Sequence, residues 1–418
     1  MDRKWNKKHS LSLIMLGIHY ICLNMGQFIH IGRINLSWIT AIVLIVTYLG
    51  ENRFLLTFSA NRNIRYCCYV MLAWVAYGIT QIWIVTDLGL FLTFYFILIN
   101  NVLTVIMTFL IVKRKEDLKF AVDMFAVAFV INLLGGIYEY ITQRVIIDTG
   151  NTYEGMIKIG GFIGNFNNFC AFLFIGVVVF CLKILSDKSL IKRLFYCICI
   201  AVAVYFMFFN GSRGGIYSLY IFIALWPLFW VLGKIVKNEK NYNKLIICLG
   251  TIVCILGVVF VYSYGFYNAL ALLDRSGGGD IGSDRGRVQL ILGGIRNAIE
   301  TYGYGIGAGQ SMIEPGINLH CFFVEILAEY GVFFGTFVTY LSVILFIKRK
   351  NNVNIAVDSL LQAAGYAFVL VNITPSSINA MRVLWIYLSI VLMIKEMGFE
   401  FEDSELHNKK YRLKRGKF

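Results

Sequence analysis

The sequence predicts an all-α integral membrane protein with about twelve spanning helices, and three observations predict it. Of 418 residues, 58% are hydrophobic and only 15% charged, where a soluble domain carries roughly 25% charged residues. Apolar runs near the ~20 residues that cross a bilayer recur along the whole chain, and mean hydropathy is +0.71. Lysine and arginine, finally, concentrate in alternate connections between those runs.

The runs are, in order, 10–27, 34–50, 66–84, 88–112, 119–140, 160–183, 194–210, 214–234, 244–263, 319–347, 355–373 and 380–396. The first has no small-residue cleavage pattern and is expected to remain as a helix. The first two are the most polar at their junction, where Asn24, Gln27 and His30 sit. The connections 141–159, with Arg144, Asp148, Glu154 and Lys158, and 264–318 are the long ones on one side. The chain is expected to form a single membrane domain over 1–418, with 264–318 as a loop between the ninth and tenth helices.

Of 38 basic residues, 29 fall in the N-terminal tail, the connections on its side and the C-terminal tail, and nine on the other side. Both termini are therefore expected in the cytoplasm and 264–318 outside it. The net charge of +14 is then a topology signal and calls for no nucleic-acid partner. The basic tail Lys409–Lys417 is suited to anionic headgroups. The nine outer residues are Arg33, Arg144, Lys158, Arg213, Arg275, Arg285, Arg287, Arg296 and Arg382, eight of them arginine. A planar guanidinium matches phosphate geometry, so this bias points to an anionic ligand outside. The ten cysteines lie mostly within apolar runs and form no CxxC pair, which predicts packing rather than metal binding or a disulfide framework.

Arg213 lies between two apolar runs in the turn Asn210-Gly211-Ser212-Arg213-Gly214-Gly215. Arginine at membrane depth is costly and marks a functional position by default. Arg285 and Arg287 open an amphipathic stretch reaching about Tyr302, too polar to span and expected to lie in the outer interface. At the first turn of a helix both would favour a phosphate. Arg296 and Glu300 are four apart and are expected to pair. Gly305, Gly307 and Gly309 form no dinucleotide fingerprint and instead suit a tight backbone passage beside a ligand. His320 opens the strong apolar run after the loop. A helix N-terminus there would keep its imidazole neutral, as a general base requires. Glu325 and Glu329, five and nine residues on, need a polar setting or a tie to another element such as Arg213.

Ser212-Arg213-Gly214-Gly215, the Arg287 stretch leading to Gly305-x-Gly307-x-Gly309, and His320 through Glu329-Tyr330-Gly331 together resemble the O-antigen ligase/polymerase superfamily. The resemblance covers about 205–335; the flanking helices match in number and character. Ile291 stands where the family commonly has tryptophan, and Cys321 where asparagine commonly follows the histidine. The resemblance implies a GT-C-like membrane architecture and glycosyl transfer at the outer face of a bacterial cell membrane. It implies a donor glycan linked through diphosphate to undecaprenol. Arg213 and Arg287, assisted by Arg285, would bind the diphosphate, His320 would deprotonate the acceptor hydroxyl, and Ser212, Gly305, Gly307, Gly309 and Glu329 would support them. No metal or cofactor is implied, since arginines take the metal's role on the leaving group. Membrane lipid, a repeat-unit flippase and a chain-length regulator are the implied partners.

Polymerisation of capsular, exopolysaccharide or teichuronic-type repeat units is the expected reaction, transfer of finished glycan to another acceptor its alternative. A lipid-linked glycan transporter is the reading of a different class. Against it, transporters hold polar residues at the midplane of repeated halves, whereas this chain shows no internal repeat and clusters them at the outer edge.

Overall fold

The computed structural model describes residues 10–25, 30–31, 34–52, 61–147, 152–153, 156–236, 284–313, 319, 321–347, 353–371 and 382–398. They form α1 (Leu11–Asn24), α2 (Leu36–Glu51), α3 (Arg62–Thr80), α4 (Leu88–Ile111), α5 (Lys115–Thr142), α6 (Phe166–Ser186), α7 (Leu190–Asn210), α8 (Arg213–Val236), α9 (Asp284–Glu300), α10 (Phe322–Ile347), α11 (Ile355–Val371) and α12 (Arg382–Met397). Two antiparallel hairpins of two-residue strands, β1–β2 (His30–Ile31, Ile34–Asn35) and β3–β4 (Thr152–Tyr153, Met156–Ile157), are the only strands among the described residues. Eleven of the twelve predicted spans thus coincide with a helix, and the remaining one, 244–263, lies outside the described residues.

Polar caps set where the apolar helices begin. Ser10, Asn35, Asn61, Asp87 and Asn165 each accept a hydrogen bond from a first-turn amide of the helix that follows. At α5 the Asp117 carboxylate takes the Arg114 guanidinium at 2.8 Å and the Arg114 amide at 3.1 Å. The helix therefore starts four residues before the predicted run, in a turn too polar for hydropathy to register.

Among the described residues, five helices are long and apolar enough to cross a membrane: Leu88–Ile111, Lys115–Thr142, Phe166–Ser186, Leu190–Asn210 and Gly214–Ile235. Leu11–Asn24, Leu36–Glu51 and Ile355–Phe368 are apolar but shorter. Apart from the two hairpins, the regular structure of the described residues is helical, consistent with a helical membrane protein. α6 is buried on nearly all sides and packs against α5, α7, α8 and α11. α7 turns Leu190, Ile191, Leu194 and Ile198 outward, the first two about 80% exposed. An apolar face that size is stable against lipid and not against water. α8 packs along α11, α11 against α10, and α10 against α9; α12 joins α10 to α4 and α5. Trp74 of α3 joins α10 and α12, with ring centroids 5.2 Å from Tyr330, 6.1 Å from Phe334 and 5.5 Å from Trp385.

Candidate active site

Two polar clusters hold the segments that carry the candidate residues. The first surrounds the turn between α7 and α8. Gly211 ends α7 in the left-handed region, at φ +63°. Asn210 then grips the 156–165 connection with both ends of its amide: Ile159 N donates to Oδ1 at 2.8 Å and Nδ2 donates to Ile159 O at 2.8 Å. Ser212 is buried and donates to Asn167 Oδ1 at 3.1 Å. Gly215 lets α8 close on α6, since a Cβ there would lie 3.0 Å from that of Cys170. Beneath the turn, the buried Glu139 carboxylate accepts from the amides of Ile146, Gly160 and Gly161 at 2.7–2.8 Å. One side chain thus fixes both ends of the connection from α5 to α6. Arg213 is the first residue of α8; its side chain is not among the described features.

The second cluster is built on a break in α10. Gly331 leaves helical geometry at φ +81°, ψ 174°, and segment 301–313 docks into the break. Ile306 N donates to Ala328 O at 2.9 Å, Gly307 N to Glu329 O at 3.0 Å, and Val332 N to Gly303 O at 2.9 Å. These bonds serve backbone groups that the break would otherwise leave unpaired. Gly305, at φ +89°, lies so close that a Cβ would be 2.6 Å from Glu329 O and from Gly331 N. Cβ atoms at Gly307 and Gly309 would strike Val85 at 2.5 Å and Phe94 at 2.3 Å. The tight passage expected of this glycine segment is present, and what it passes closely is the protein's own backbone and the start of α4. Tyr77 and Gln81, at the end of α3, donate to Tyr304 O, and Gln81 also to Glu329 O. Gln310 accepts from the Thr86 and Asp87 amides at 3.0 and 3.1 Å and donates to Asp87 O at 2.9 Å.

Glu329 lies wholly buried below the break, and Ser311 Oγ donates to its Oε1 at 2.6 Å. Its described tie is therefore to the loop segment, while Oε2 has no hydrogen-bond partner among the described residues. Glu325 is also buried.

α9 runs from Asp284 to Glu300, so Arg285 and Arg287 occupy its first turn; their side chains lie outside the described features. Leu290, Leu319, Val324 and Ala328 form one apolar cluster. Gly294 allows the close approach, since its Cβ would lie 2.7 Å from Leu319 and 2.6 Å from Val324. Position 287 is one turn before Leu290, and His320, itself outside the described residues, follows Leu319 directly. The opposite face of α9 exposes Leu292, Ile295 and Ile299 at helical spacing, an apolar stripe fitted to a membrane interface. Arg296 and Glu300 pair at 2.6 Å on the exposed surface, as their spacing predicts.

Sequence reasoning did not single out Glu139, Gln81, Gln310 or Ser311. Each meets a backbone group or a carboxylate of another element, which the local pattern around it does not show.

No family model matches this sequence. A teichuronic acid biosynthesis protein is a distant relative. The chain is 22% identical over 347 residues to the protein of that name, TuaE, from Bacillus subtilis (strain 168), covering 76% of this chain and 69% of that one. An alignment that long extends well beyond 205–335, so the flanking helices share in it.

Proposed function

We propose that this protein is an integral membrane enzyme of bacterial cell-envelope polysaccharide biosynthesis. It transfers a glycan, outside the cytoplasm, from an undecaprenyl-diphosphate carrier to a sugar hydroxyl, and so polymerises repeat units. The observation that carries the reading is the packing of Leu290 and Gly294 of α9 against Leu319 and Val324. Arg287 stands three positions before Leu290 in the sequence and His320 next after Leu319, and this reading pairs them. The similarity to a teichuronic acid biosynthesis protein supports a polysaccharide substrate, and the apolar helices support a lipid-carried one.

In this reading His320 takes the proton of the acceptor hydroxyl, whose oxygen attacks the anomeric carbon of the donor. The bond from that carbon to the diphosphate breaks, and undecaprenyl diphosphate leaves with the electron pair. Arg213 and Arg287, with Arg285, hold the diphosphate and receive its growing charge. Ser212 steadies the Arg213 turn, and Ser311, Glu329 and the glycine segment steady the loop. The chemistry needs no metal or redox cofactor. The spans number twelve, with both termini cytoplasmic.

A deletion strain tests the reaction type. Loss of a polymerase leaves single repeat units on the lipid carrier. Loss of a ligase leaves long chains unattached to their acceptor, and loss of a flippase leaves repeat units on the cytoplasmic leaflet. Accumulation of either of the last two products would replace polymerisation with the corresponding activity.

A further inference from the structure

The start of α10 carries an apolar stripe and a polar one side by side. The helix begins at Phe322, and the carbonyl of Cys321 accepts from the Glu325 amide at 2.9 Å, so Cys321 is the residue that caps it. Leu319 lies two positions before that cap and Val324 three after it. Both nevertheless reach one point on α9, since a Cβ on Gly294 would lie 2.7 Å from Leu319 and 2.6 Å from Val324. Leu319 also shares its apolar cluster with Ala328. The residue before the cap region therefore lies back along the first turns of α10, with 319, 324 and 328 on the α9 side.

One position after each member of that stripe stand His320, Glu325 and Glu329. At a helix start the residue before the cap meets the fourth residue of the helix, and for α10 those two are His320 and Glu325. Glu325 is 1% exposed and Glu329 0%. A carboxylate so far from water needs a partner. For Glu329 that partner is the Ser311 hydroxyl, at 2.6 Å. Glu325 is the carboxylate nearer the cap. Side chains of a helix lean toward its N-terminus, and the Glu325 charge lies within electrostatic reach of the Cys321 thiol.

We propose that Glu325 is a positioning residue for His320. Its carboxylate accepts a hydrogen bond from one imidazole nitrogen and so turns the other toward the acceptor hydroxyl. The inference rests on the catalytic reading above and adds a residue to it. His320 becomes an imidazolium when it takes the hydroxyl proton, and a helix N-terminus disfavours that charge. A buried carboxylate beside the ring offsets this cost and fixes beforehand which nitrogen carries the proton. The transferred proton stays on the imidazole, the hydrogen bond to Glu325 persists, and Glu325 remains ionised throughout.

A double-mutant cycle tests this, run on the full-length protein in liposomes that carry undecaprenyl-diphosphate-linked repeat units. Rates of chain extension are taken per inserted, folded molecule. Glu325→Gln should lower kcat by about 10²–10⁴-fold and leave the KM for the donor unchanged. In a His320→Ala background the same substitution should cause no further loss, because the carboxylate acts only through the imidazole. Glu325→Asp keeps the charge and should recover part of the rate that Glu325→Gln loses. Losses that multiply in the double mutant, with His320→Ala itself slow, would overturn the role of Glu325 and leave the catalytic reading standing. Losses that multiply with His320→Ala but not with Arg213→Lys would overturn it in favour of a pair between Glu325 and that arginine. A wild-type rate in His320→Ala, or no extension by wild type, would remove the catalytic reading and this inference with it.

Discussion

Replacing Gly305 by alanine should release segment 301–309 from the break in α10. Gly305 sits at φ +89°, and an added Cβ would stand 2.6 Å from Glu329 O and from Gly331 N. Both neighbours are backbone, so no rotamer change relieves the overlap. Holding a side chain at such a φ costs about 1–3 kcal/mol. Moving the segment away breaks the bonds from Ile306, Gly307 and Val332 amides, at about 1 kcal/mol each. Only the strain on the docked state shifts the opening equilibrium, and about 1–3 kcal/mol corresponds to roughly 5- to 150-fold. Hydrogen exchange reads this directly, since the three amides are protected only while the segment is docked. In Gly305→Ala they should exchange about one to two orders of magnitude faster, while amides in the middle of α6 keep their rates. Gly293→Ala is the control: its Cβ meets nothing within 4 Å, and alanine in a helix should stabilise α9 by up to about 1 kcal/mol. Wild-type exchange at Ile306, Gly307 and Val332 in Gly305→Ala would refute the docking argument.

Three further outcomes are expected. Glu139→Ala deprives the Ile146, Gly160 and Gly161 amides of their acceptor, so it should destabilise by about 3 kcal/mol or more, while Glu139→Gln keeps an acceptor oxygen and should lose less, as measured by thermal unfolding. Glu329→Ala leaves the Ser311 hydroxyl unpaired in a buried site and should cost about 1–3 kcal/mol, with Glu329→Gln close to wild type by the same measurement. Cysteine placed at Ser276 should react with an impermeant thiol reagent in intact cells, and cysteine at Asn351 should not; the reverse pattern would put the loop on the cytoplasmic side.

The helices were legible because a bilayer sets the length and polarity of what crosses it, so α4, predicted at 88–112, is found at Leu88–Ile111. Polar first turns were not, as at α3, predicted from 66 but started at Arg62 by the Asn61 cap. The loop helix was visible in its amphipathic pattern, and the Arg296–Glu300 pair in its spacing. The break at Gly331 was hidden, because one glycine in an apolar run carries no sign of the segment that docks there. The pairings of Gln81 with Tyr304 and Glu329 join residues more than 220 positions apart, and local pattern cannot show them. Arg382 was visible only as one basic residue between two apolar runs; its neighbours Asn35, Ser37 and Asn100 come from two other parts of the chain.

The central claim is that one outer site, sharing Arg213, Arg287 and His320, transfers the glycan. The direct measurement is chain extension by purified protein in liposomes, supplied with undecaprenyl-diphosphate-linked repeat units on the outward-facing leaflet. Wild type should extend the chains without a flipping step. Arg213→Lys and Arg287→Lys keep charge but lose the planar fork, and each should slow extension by about 10²–10³-fold. His320→Ala should slow it by about 10²–10⁴-fold with donor binding retained. Arg296→Ala, whose partner is the exposed Glu300, should extend at the wild-type rate. Extension at the wild-type rate by both Arg213→Lys and His320→Ala, each shown to be inserted and folded, would contradict the shared site.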